Sequence, residues 1–310
     1  MILSDAIKKI RKIQIVTSRA ANDLFAGHYR SAFKGRGLEF GELRQYHPGD
    51  EIRFIDWNVT ARTGRPHVKK FIEERELTVL FLLDVSPSCR FGTVNHLKSQ
   101  LAAELCALLS FTALRNNDKI GLMLFTDRME KFIPPKKGSR QALRIIREAL
   151  YFQPEGRGTD IAAALDYLNR VLKRRTVAFV LSDFHAPDFK KPLAVTAKRH
   201  DVIAVTIDDP AEKNLPDAGI VHLSDAETEK SILIDTGDAG VREAYRMRNI
   251  ERLDLRRRMF HSIGVDNIAL GTDLPYVEPV IRFFRTREGR RPRYQSSFPR
   301  RRESRNYSIS

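Results

Sequence analysis

Residues 78–88, TVLFLLDVSPS, join an apolar stretch of strand length to a turn rich in side-chain oxygens. The apolar run is continuous, and it does not alternate with polar residues as a strand with one wet face would. A continuous run of this length is typical of a strand in a parallel sheet that is covered on both faces. The stretch therefore predicts a buried parallel strand that ends near Asp84.

The chain on either side of this strand alternates between strand-like and helix-like segments. Further apolar strands are predicted in residues 119–127, 176–184 and 201–209, with a short edge strand at 131–134. Helical spacing predicts helices near residues 95–115, 139–150 and from 160 onward, and later a hairpin over 219–235, a helix over 239–262, a strand at 267–270 and a helix from 275 to 284. This alternation predicts an α/β fold with a doubly wound, mostly parallel sheet.

The two ends of the chain differ in composition from this middle part. Residues 4–24 have the spacing of an amphipathic helix, and a glycine-rich stretch with short strands and a helical turn follows it. Residues beyond 286 are rich in arginine and poor in aliphatic side chains, which is typical of disorder. We therefore predict a small N-terminal helix-plus-β module (residues 1–76), a main α/β domain (77–285) and a disordered basic tail (286–310).

The net charge of +15 resides mainly at the two ends. Residues 282–310 carry +8, residues 1–75 carry +6 and the rest carries +1, so a nucleic-acid role driven by the main domain is disfavoured. No segment approaches the roughly 18 apolar residues of a membrane helix. The N-terminus lacks a secretory pattern, and two cysteines make no disulfide framework, so we predict a cytoplasmic protein without a membrane span.

Five oxygen-bearing side chains are predicted to converge at the carboxyl end of the sheet. Asp84, Ser86 and Ser88 leave the first strand at alternate positions, Thr159 lies in the glycine-bounded loop EGRGTD, and Asp183 ends a later strand. Ligands of open α/β sheets bind at that edge. Two carboxylates and three hydroxyls are hard ligands that suit Mg²⁺ or Mn²⁺. A partner's acidic side chain could complete the coordination, whereas His185 is favoured as a neighbouring residue without a ligand role.

The segments DVSPS, GRGTD and LSDF resemble, in their order, the metal-ion-dependent adhesion site of von Willebrand factor A domains. That resemblance implies a Rossmann-type three-layer fold. The upstream segment RQYHPGDEIRFIDWNVTARTGRPHVKKF is similar to the bacterial family called domain of unknown function 58, over roughly residues 15–285. Genes of that family commonly accompany MoxR-type AAA+ ATPases, which implies such an ATPase as a partner. Cys89, where these domains often have methionine, and the arginine-rich tail depart from the pattern.

The upstream segment contains residues that are open to two interpretations. They bind a partner, or they form a structural unit in which Trp57 anchors a small core and arginines pair with Asp50 and Asp56. The structural interpretation is favoured. The residues concerned are Tyr46, Pro48, Gly49, Asp50, Arg53, Asp56, Trp57 and Arg62.

The site and the resemblance together favour a non-enzymatic, Mg²⁺-dependent protein-binding module that acts with a MoxR-type ATPase in assembling or remodelling a complex. One alternative is a metal-dependent phosphohydrolase. An aspartyl phosphatase would have a second carboxylate two residues after Asp84, where this chain has Ser86. The other alternative is nucleic-acid binding through the basic termini, which needs phosphate contacts from the tail.

Overall fold

The computed structural model describes residues 26–33, 39–72, 76–224, 227 and 230–290. The helix predicted over residues 4–24 and the tail residues 291–310 lie outside this set. In chain order the described helices and strands are α1 (Ala26–Phe33), β1 (Glu39–Gln45), α2 (Trp57–Thr63), β2 (His67–Ile72), β3 (Thr78–Asp84), α3 (Lys98–Arg115), β4 (Lys119–Phe125), β5 (Met129–Lys136), α4 (Ser139–Tyr151), α5 (Ile161–Val171), β6 (Val177–Ser182), α6 (Lys190–Arg199), β7 (Asp201–Asp208), α7 (Pro210–Lys213), β8 (Ile220–Ser224), β9 (Ser231–Asp235), α8 (Ala239–Ser262), β10 (Asp266–Gly271) and α9 (Val277–Arg290).

The central sheet has six strands in the order β10-β7-β6-β3-β4-β5. All neighbouring pairs are parallel except β4 and β5, which pair antiparallel at the edge. Numbered within this sheet alone, the strands follow the doubly wound order 3-2-1-4-5-6. The predicted doubly wound, mostly parallel α/β class is confirmed, and the order reverses between β3 and β6.

Strand β3 contributes side chains to both hydrophobic cores, one on each face of the sheet. Val79, Phe81 and Leu83 point into one core with side chains of α3, α4 and α9, whereas Leu80 and Leu82 point into the other with side chains of α5 and α6. Alternate residues of a strand face opposite sides of the sheet, so a continuous apolar run serves both layers. This arrangement fixes β3 in the middle of three layers and leaves its last residue, Asp84, at the carboxyl edge.

Helix α1 belongs to the same hydrophobic core as the sheet. Tyr29 is fully buried, its ring lies 5.8 Å from that of Phe284 in α9, and the ring of Phe33 lies 6.1 Å from that of Phe179 in β6. Edge-to-face contacts of this kind stabilise aromatic pairs beyond their buried area. The predicted division at residues 76 and 77 stays a prediction, and α1 of the N-terminal segment packs against the main sheet.

The motif between β1 and β2 does not enclose the small core that was predicted. Trp57 is 65% exposed and is the first residue of α2. The preceding residue, Asp56, caps that helix, because its side chain accepts the N–H groups of Asn58 and Val59. The prediction that Trp57 anchors a core is therefore wrong.

One charge pair of this motif forms with a different arginine from those singled out in the sequence. Asp50 pairs with Arg44 at 2.6 Å, and Arg53 pairs with Glu51. Asp50 therefore has an arginine partner, but that partner comes from β1, and Arg53 turns to the glutamate beside it. The roles of Tyr46, Pro48, Gly49 and Arg62 remain predictions.

The last helix is longer than the spacing predicted. Helix α9 continues through Arg290, so the first residues of the predicted tail are helical. Arg287 explains the extension, because its guanidinium pairs with Asp201 at 2.5 Å and with Asp266 at 3.1 Å, both at the amino ends of sheet strands. In the described part of the chain, no helix is both long enough and apolar enough to cross a bilayer.

The buried carboxyl of Asp118 should make folding stability depend on pH. Burial raises the pKa of Asp118 to about 6 from 3.8, against the opposing hydrogen bonds from Leu77 N–H and the Tyr29 hydroxyl. The folded state therefore binds more protons than the unfolded state between these values, and stability is lost as pH rises through them. We therefore expect Asp118→Asn to lower the free energy of unfolding at pH 4, taken relative to its value at pH 7, by about 1–2 kcal/mol from the wild-type figure, allowing for solvent screening.

Urea unfolding at both pH values measures this difference. Asp254→Asn is a suitable control, because Asp254 is an exposed carboxylate of α8 that pairs with Arg258. The control should keep the wild-type dependence on pH, and an Asp118→Asn profile that coincides with the wild type would contradict the assignment.

Candidate metal centre

Two carboxylates lie at the point where the strand order reverses. Asp84 is the last residue of β3, and Asp183 directly follows β6, which is the neighbouring strand. Both side chains are almost completely buried, with residue exposures of 1% and 0%. The crevice at such a reversal is where open α/β sheets bind ligands. The structure thus places this predicted pair at the expected edge.

The carboxylate of Asp84 has hydrogen-bond donors, and no cationic side chain of the described residues contacts it. Its Oδ1 accepts the backbone N–H of Ser86 at 3.0 Å, and its Oδ2 accepts the hydroxyl of Ser182 at 2.7 Å. Burial and the charge of Asp183 raise the pKa of Asp84 to about 6 in spite of these bonds. A buried anion that is short of positive charge favours a cation beside it.

Ser86 and Ser88 bring two hydroxyl oxygens to the same turn. A single 3-10 turn, Pro87–Arg90, follows Ser86. Proline is suited to its first position, because an N–H group there would have no partner within the turn. The two Oγ atoms lie 3.0 Å apart, and Ser86 is fully buried. Each hydroxyl oxygen has lone pairs that a hard cation can use.

Thr159 lies in the adjacent loop, which is fastened to the end of β4. Asp160 N–H donates to the carbonyl of Thr126 at 2.9 Å, and Gly156 N–H donates to Glu130 at 2.7 Å. A Cβ at Gly156 would lie 2.1 Å from Thr126 Oγ1, so only glycine allows this approach. The Thr159 hydroxyl donates to Glu227 at 2.7 Å. The contiguous part of the centre is formed by the other four predicted residues, Asp84, Ser86, Ser88 and Asp183.

Lys98 is the main residue of the centre that sequence reasoning missed. Its ammonium donates to Asp183 at 2.8 Å and to Glu212 at 2.6 Å, and its side chain is only 1% exposed. Burial alone would lower the pKa of Lys98, but the charges of Asp183 and Glu212 raise it above the ordinary value. The ammonium in turn holds the pKa of Asp183 below its ordinary value against the effect of burial. Asp183 is therefore ionised at neutral pH.

A second buried cation stabilises the same edge of the sheet. Arg256 of α8 donates to the carbonyl oxygen of Asp183 and pairs with Asp208 at 2.7 Å. Because Arg256 and Asp208 neutralise each other, they leave the charge of the centre unchanged. Their effect is to fix the backbone that carries Asp183.

His185 lies beside Asp183 without an obvious ligand role. Its backbone N–H donates to Asp183 Oδ1 at 3.1 Å, and burial lowers the pKa of its ring although the carboxylate opposes this. Asp183, His185 and Glu212 bring ligand atoms within 4.8 Å of one another. Lys98 already provides the cation between the two carboxylates, so this group is better described as a buried salt bridge.

The residues present fit a hard divalent cation beside Asp84. Asp84, Asp183 and Glu212 are three carboxylates, and within the described ranges Lys98 is the ammonium that pairs with two of them, Asp183 and Glu212. Two negative charges thus remain uncompensated once these carboxylates are ionised. The nearby hydroxyls of Ser86 and Ser88 are uncharged oxygen donors, which are ligands for Mg²⁺ or Mn²⁺ more than for softer metals.

A cavity of about 260 Å³ opens beside Ser86. Its walls include Val85, Ser86, Cys89, Leu97 and Phe152. Burial and the charges of Asp84 and Asp183 raise the pKa of the Cys89 thiol well above its ordinary value. The thiol is therefore protonated at neutral pH and is a poor nucleophile.

Comparison with known proteins gives one family and several distant structures. The family described as "Protein of unknown function DUF58" matches residues 42–253. The uncharacterized protein Rv1480 of Mycobacterium tuberculosis is 32% identical over 286 residues, which cover 90% of this chain and 88% of that protein.

Among solved structures, BatB of Bacteroides thetaiotaomicron is 16% identical, with a TM-score of 0.42 over 69% of this chain and 99% of that one. The SpRpn10 VWA domain is 11% identical, with a TM-score of 0.37 over 66% of this chain and 94% of that one. The strand order and the two hydrophobic layers described above confirm the predicted doubly wound, three-layer α/β fold.

Proposed function

The chain belongs to the DUF58 family, and we propose that it is a non-enzymatic protein-binding module that depends on a divalent cation. The residues that would hold Mg²⁺ or Mn²⁺ are Asp84, Ser86, Ser88, Thr159 and Asp183. When bound, the cation would supply an electrophilic position for a carboxylate oxygen of a partner protein. The observation that carries the proposal is the excess of buried negative charge at the β3–β6 reversal, which Lys98 only partly offsets.

The charge on helix α8 supports a partner with acidic side chains. This helix has seven arginines against three acidic residues, and of these arginines Arg256 is neutralised by Asp208. The charge of Arg252 helps to lower the pKa of His185, which lies at the same edge of the sheet. A positive surface beside a cation site attracts acidic segments and raises their rate of association. A MoxR-type AAA+ ATPase in the cytoplasm remains the partner and setting that we propose.

The chemistry of the centre favours binding over hydrolysis. The thiol of Cys89 is protonated, and the second position after Asp84 is a serine whose hydroxyl lies against Ser88. An aspartyl-phosphate mechanism would use a second carboxylate there as general acid or base. The hydrolase alternative therefore has a candidate metal site but lacks a paired nucleophile and base among the described residues.

Capture of a purified MoxR-type ATPase from the same organism tests the proposal. We expect the immobilised wild-type chain to retain the ATPase in Mg²⁺ and to release it on addition of a chelator. Asp84→Asn should abolish capture, because it removes one of the two buried charges. Asp127→Asn should leave capture intact, because Asp127 is an exposed carboxylate just after β4 that pairs with Arg128. Capture that is equal in all four conditions would contradict a metal-bridged interaction.

A further inference from the structure

The cavity of about 260 Å³ beside Ser86 is lined by two segments of the chain. The turn after β3 and the start of α3 contribute Ser86, Cys89 and Leu97. The end of α4 and the residues that follow it contribute Leu150 and Phe152. A cavity of about 150 Å³ already accommodates benzene when its walls are apolar, so this one has room for the side chain of a leucine or a phenylalanine.

Polar contacts fix the two segments around the cavity. Arg90 donates to the side chain of Gln153 at 3.1 Å, and each of these residues belongs to the lining. The ammonium of Lys131 lies 5.5 Å from the centre of the Phe152 ring and pairs with Glu148 at 2.8 Å, which holds the ring in place. The cavity is therefore preformed, and a ligand that enters it does not have to reorder its walls.

The loop that leads into α3 has three exposed apolar side chains. Phe91, Val94 and Leu97 are 42%, 58% and 36% exposed, and Leu97 also lines the cavity. The backbone of this loop is anchored, because the N–H of Thr93 donates to the buried carboxylate of Asp209 at 2.9 Å. Large apolar side chains on a fixed and exposed loop are typical of a protein-binding surface.

Ser86 belongs both to the proposed cation ligands and to the wall of the cavity. Consecutive residues of a peptide are about 3.8 Å apart, so the neighbours of a carboxylate held on the cation are within reach of the cavity. We propose that the cavity binds an aliphatic or aromatic side chain of the partner protein, next in sequence to the acidic residue that binds the cation. This inference rests on the proposed function, and it specifies the partner segment as an acidic residue flanked by an apolar one.

The side chains of the lining favour such a segment. Leu97, Leu150 and Phe152 offer apolar surface, and burial of a leucine side chain against such surface raises affinity by roughly tenfold or more. The guanidinium of Arg90 has donors beyond the one bonded to Gln153, and these suit the carbonyls and the negative charge of an acidic segment. A wholly apolar ligand would displace water from these polar groups without replacing its hydrogen bonds.

Two fluorescein-labelled peptides, Gly-Ser-Leu-Glu-Leu-Ser-Gly and Gly-Ser-Ala-Glu-Ala-Ser-Gly, test the proposal. Their binding to the full chain in Mg²⁺ is measured by fluorescence anisotropy, with and without a chelator. We expect the wild type to bind the leucine peptide about tenfold more tightly than the alanine peptide, and the chelator to release both peptides. The apolar residue stands on both sides of the glutamate, so the result does not depend on the direction of the bound segment.

The outcomes separate this inference from the proposed function. Equal affinities for the two peptides, with release by the chelator, would overturn the role of the cavity but support the metal-bridged interaction. A preference for leucine that survives the chelator would support the cavity and contradict the metal bridge. Dimerisation of the chain in Mg²⁺, seen by sedimentation, with no binding of either peptide would assign the surface to a second copy and overturn a peptide ligand.

Leu97→Ala and Ser99→Phe test the location, with Leu143→Ala as the matched control. Leu97 and Leu143 are 36% and 37% exposed, but Leu143 lies on α4 outside the lining. Leu97→Ala removes apolar wall and should lower the preference for leucine to about threefold or less, and Ser99→Phe should fill the cavity and abolish the preference. Leu143→Ala should keep the wild-type preference.

The alanine peptide shows whether each variant is folded and keeps its cation site. We expect all three variants to bind it in Mg²⁺ within about twofold of the wild type, because none of the changes removes a proposed cation ligand. A preference for leucine that stays at the wild-type value in both Leu97→Ala and Ser99→Phe would overturn the proposal.

Discussion

Lys98→Met should lower the free energy of unfolding by about 3–5 kcal/mol in the metal-free protein. The substitution keeps an unbranched apolar side chain that is one atom shorter, but it leaves Asp183 without its cation in a site that is 1% exposed. It also removes the partner of Glu212, whose side chain is only 19% exposed. Loss of one member of a buried charge pair costs more than the pair contributes, because the remaining charge stays desolvated. Urea unfolding at neutral pH in the presence of a chelator measures the change.

Lys119→Met is the matched control for this prediction. Lys119 also pairs with a glutamate, Glu76, but its side chain is 46% exposed, so its removal should cost less than about 1 kcal/mol. Adding Glu212→Gln to Lys98→Met should recover part of the loss, since one uncompensated carboxylate disappears. If Lys98→Met costs no more than Lys119→Met, Lys98 does not neutralise the centre as we describe.

The sequence predicted those parts of the fold that depend on local pattern. The apolar run before Asp84 indicated a strand buried on both faces, and β3 does face two cores. The predicted helix over residues 239–262 has the same bounds in α8. Periodicity and turn residues determine such elements within a few neighbouring residues, so they can be recognised without tertiary information.

The electrostatics of the centre could not be predicted in the same way. Lys98 and Asp183 are 85 positions apart, and a lysine in the first turn of a helix is ordinarily solvated. Only the packing of α3 against the sheet brings the ammonium to the carboxylate. The contact between Glu227 and Thr159 likewise depends on where the hairpin turns, which its own strand pattern does not specify.

The prediction for Trp57 was wrong because it was based on the residue type and ignored the position of Trp57 at the start of α2. The residue type predicts that the chain's single tryptophan anchors a small core. The local sequence places it immediately after the capping residue Asp56, at the start of a two-turn helix with no buried residue. The position of a residue relative to a helix cap could therefore have corrected the prediction.

Asp84→Asn should weaken Mn²⁺ binding by at least about 100-fold. The change keeps the size of the side chain and an oxygen for the N–H of Ser86, but it removes one of the two charges at the strand reversal. Replacement of groups that merely orient metal ligands already costs roughly 10–100-fold in affinity, and loss of a charged ligand should cost more. Because burial and the charge of Asp183 disfavour the ionised form of this carboxylate in the metal-free protein, the variant should be folded and at least as stable when metal is absent.

Metal binding should also appear as a gain in stability of the folded chain. At a Mn²⁺ concentration of 100 times the Kd, the wild type should gain about 2.7 kcal/mol, and Asp84→Asn should gain almost none at the same concentration. Asp127→Asn, with its exposed carboxylate near the same edge, should respond as the wild type does.

Calorimetric titration of Mn²⁺ into the wild type, Asp84→Asn and Asp127→Asn tests the metal centre most directly. We predict one saturable site in the wild type and in Asp127→Asn, and loss of that site in Asp84→Asn. Equal binding by all three proteins, or no binding by the wild type, would contradict a divalent-cation centre at the β3–β6 reversal.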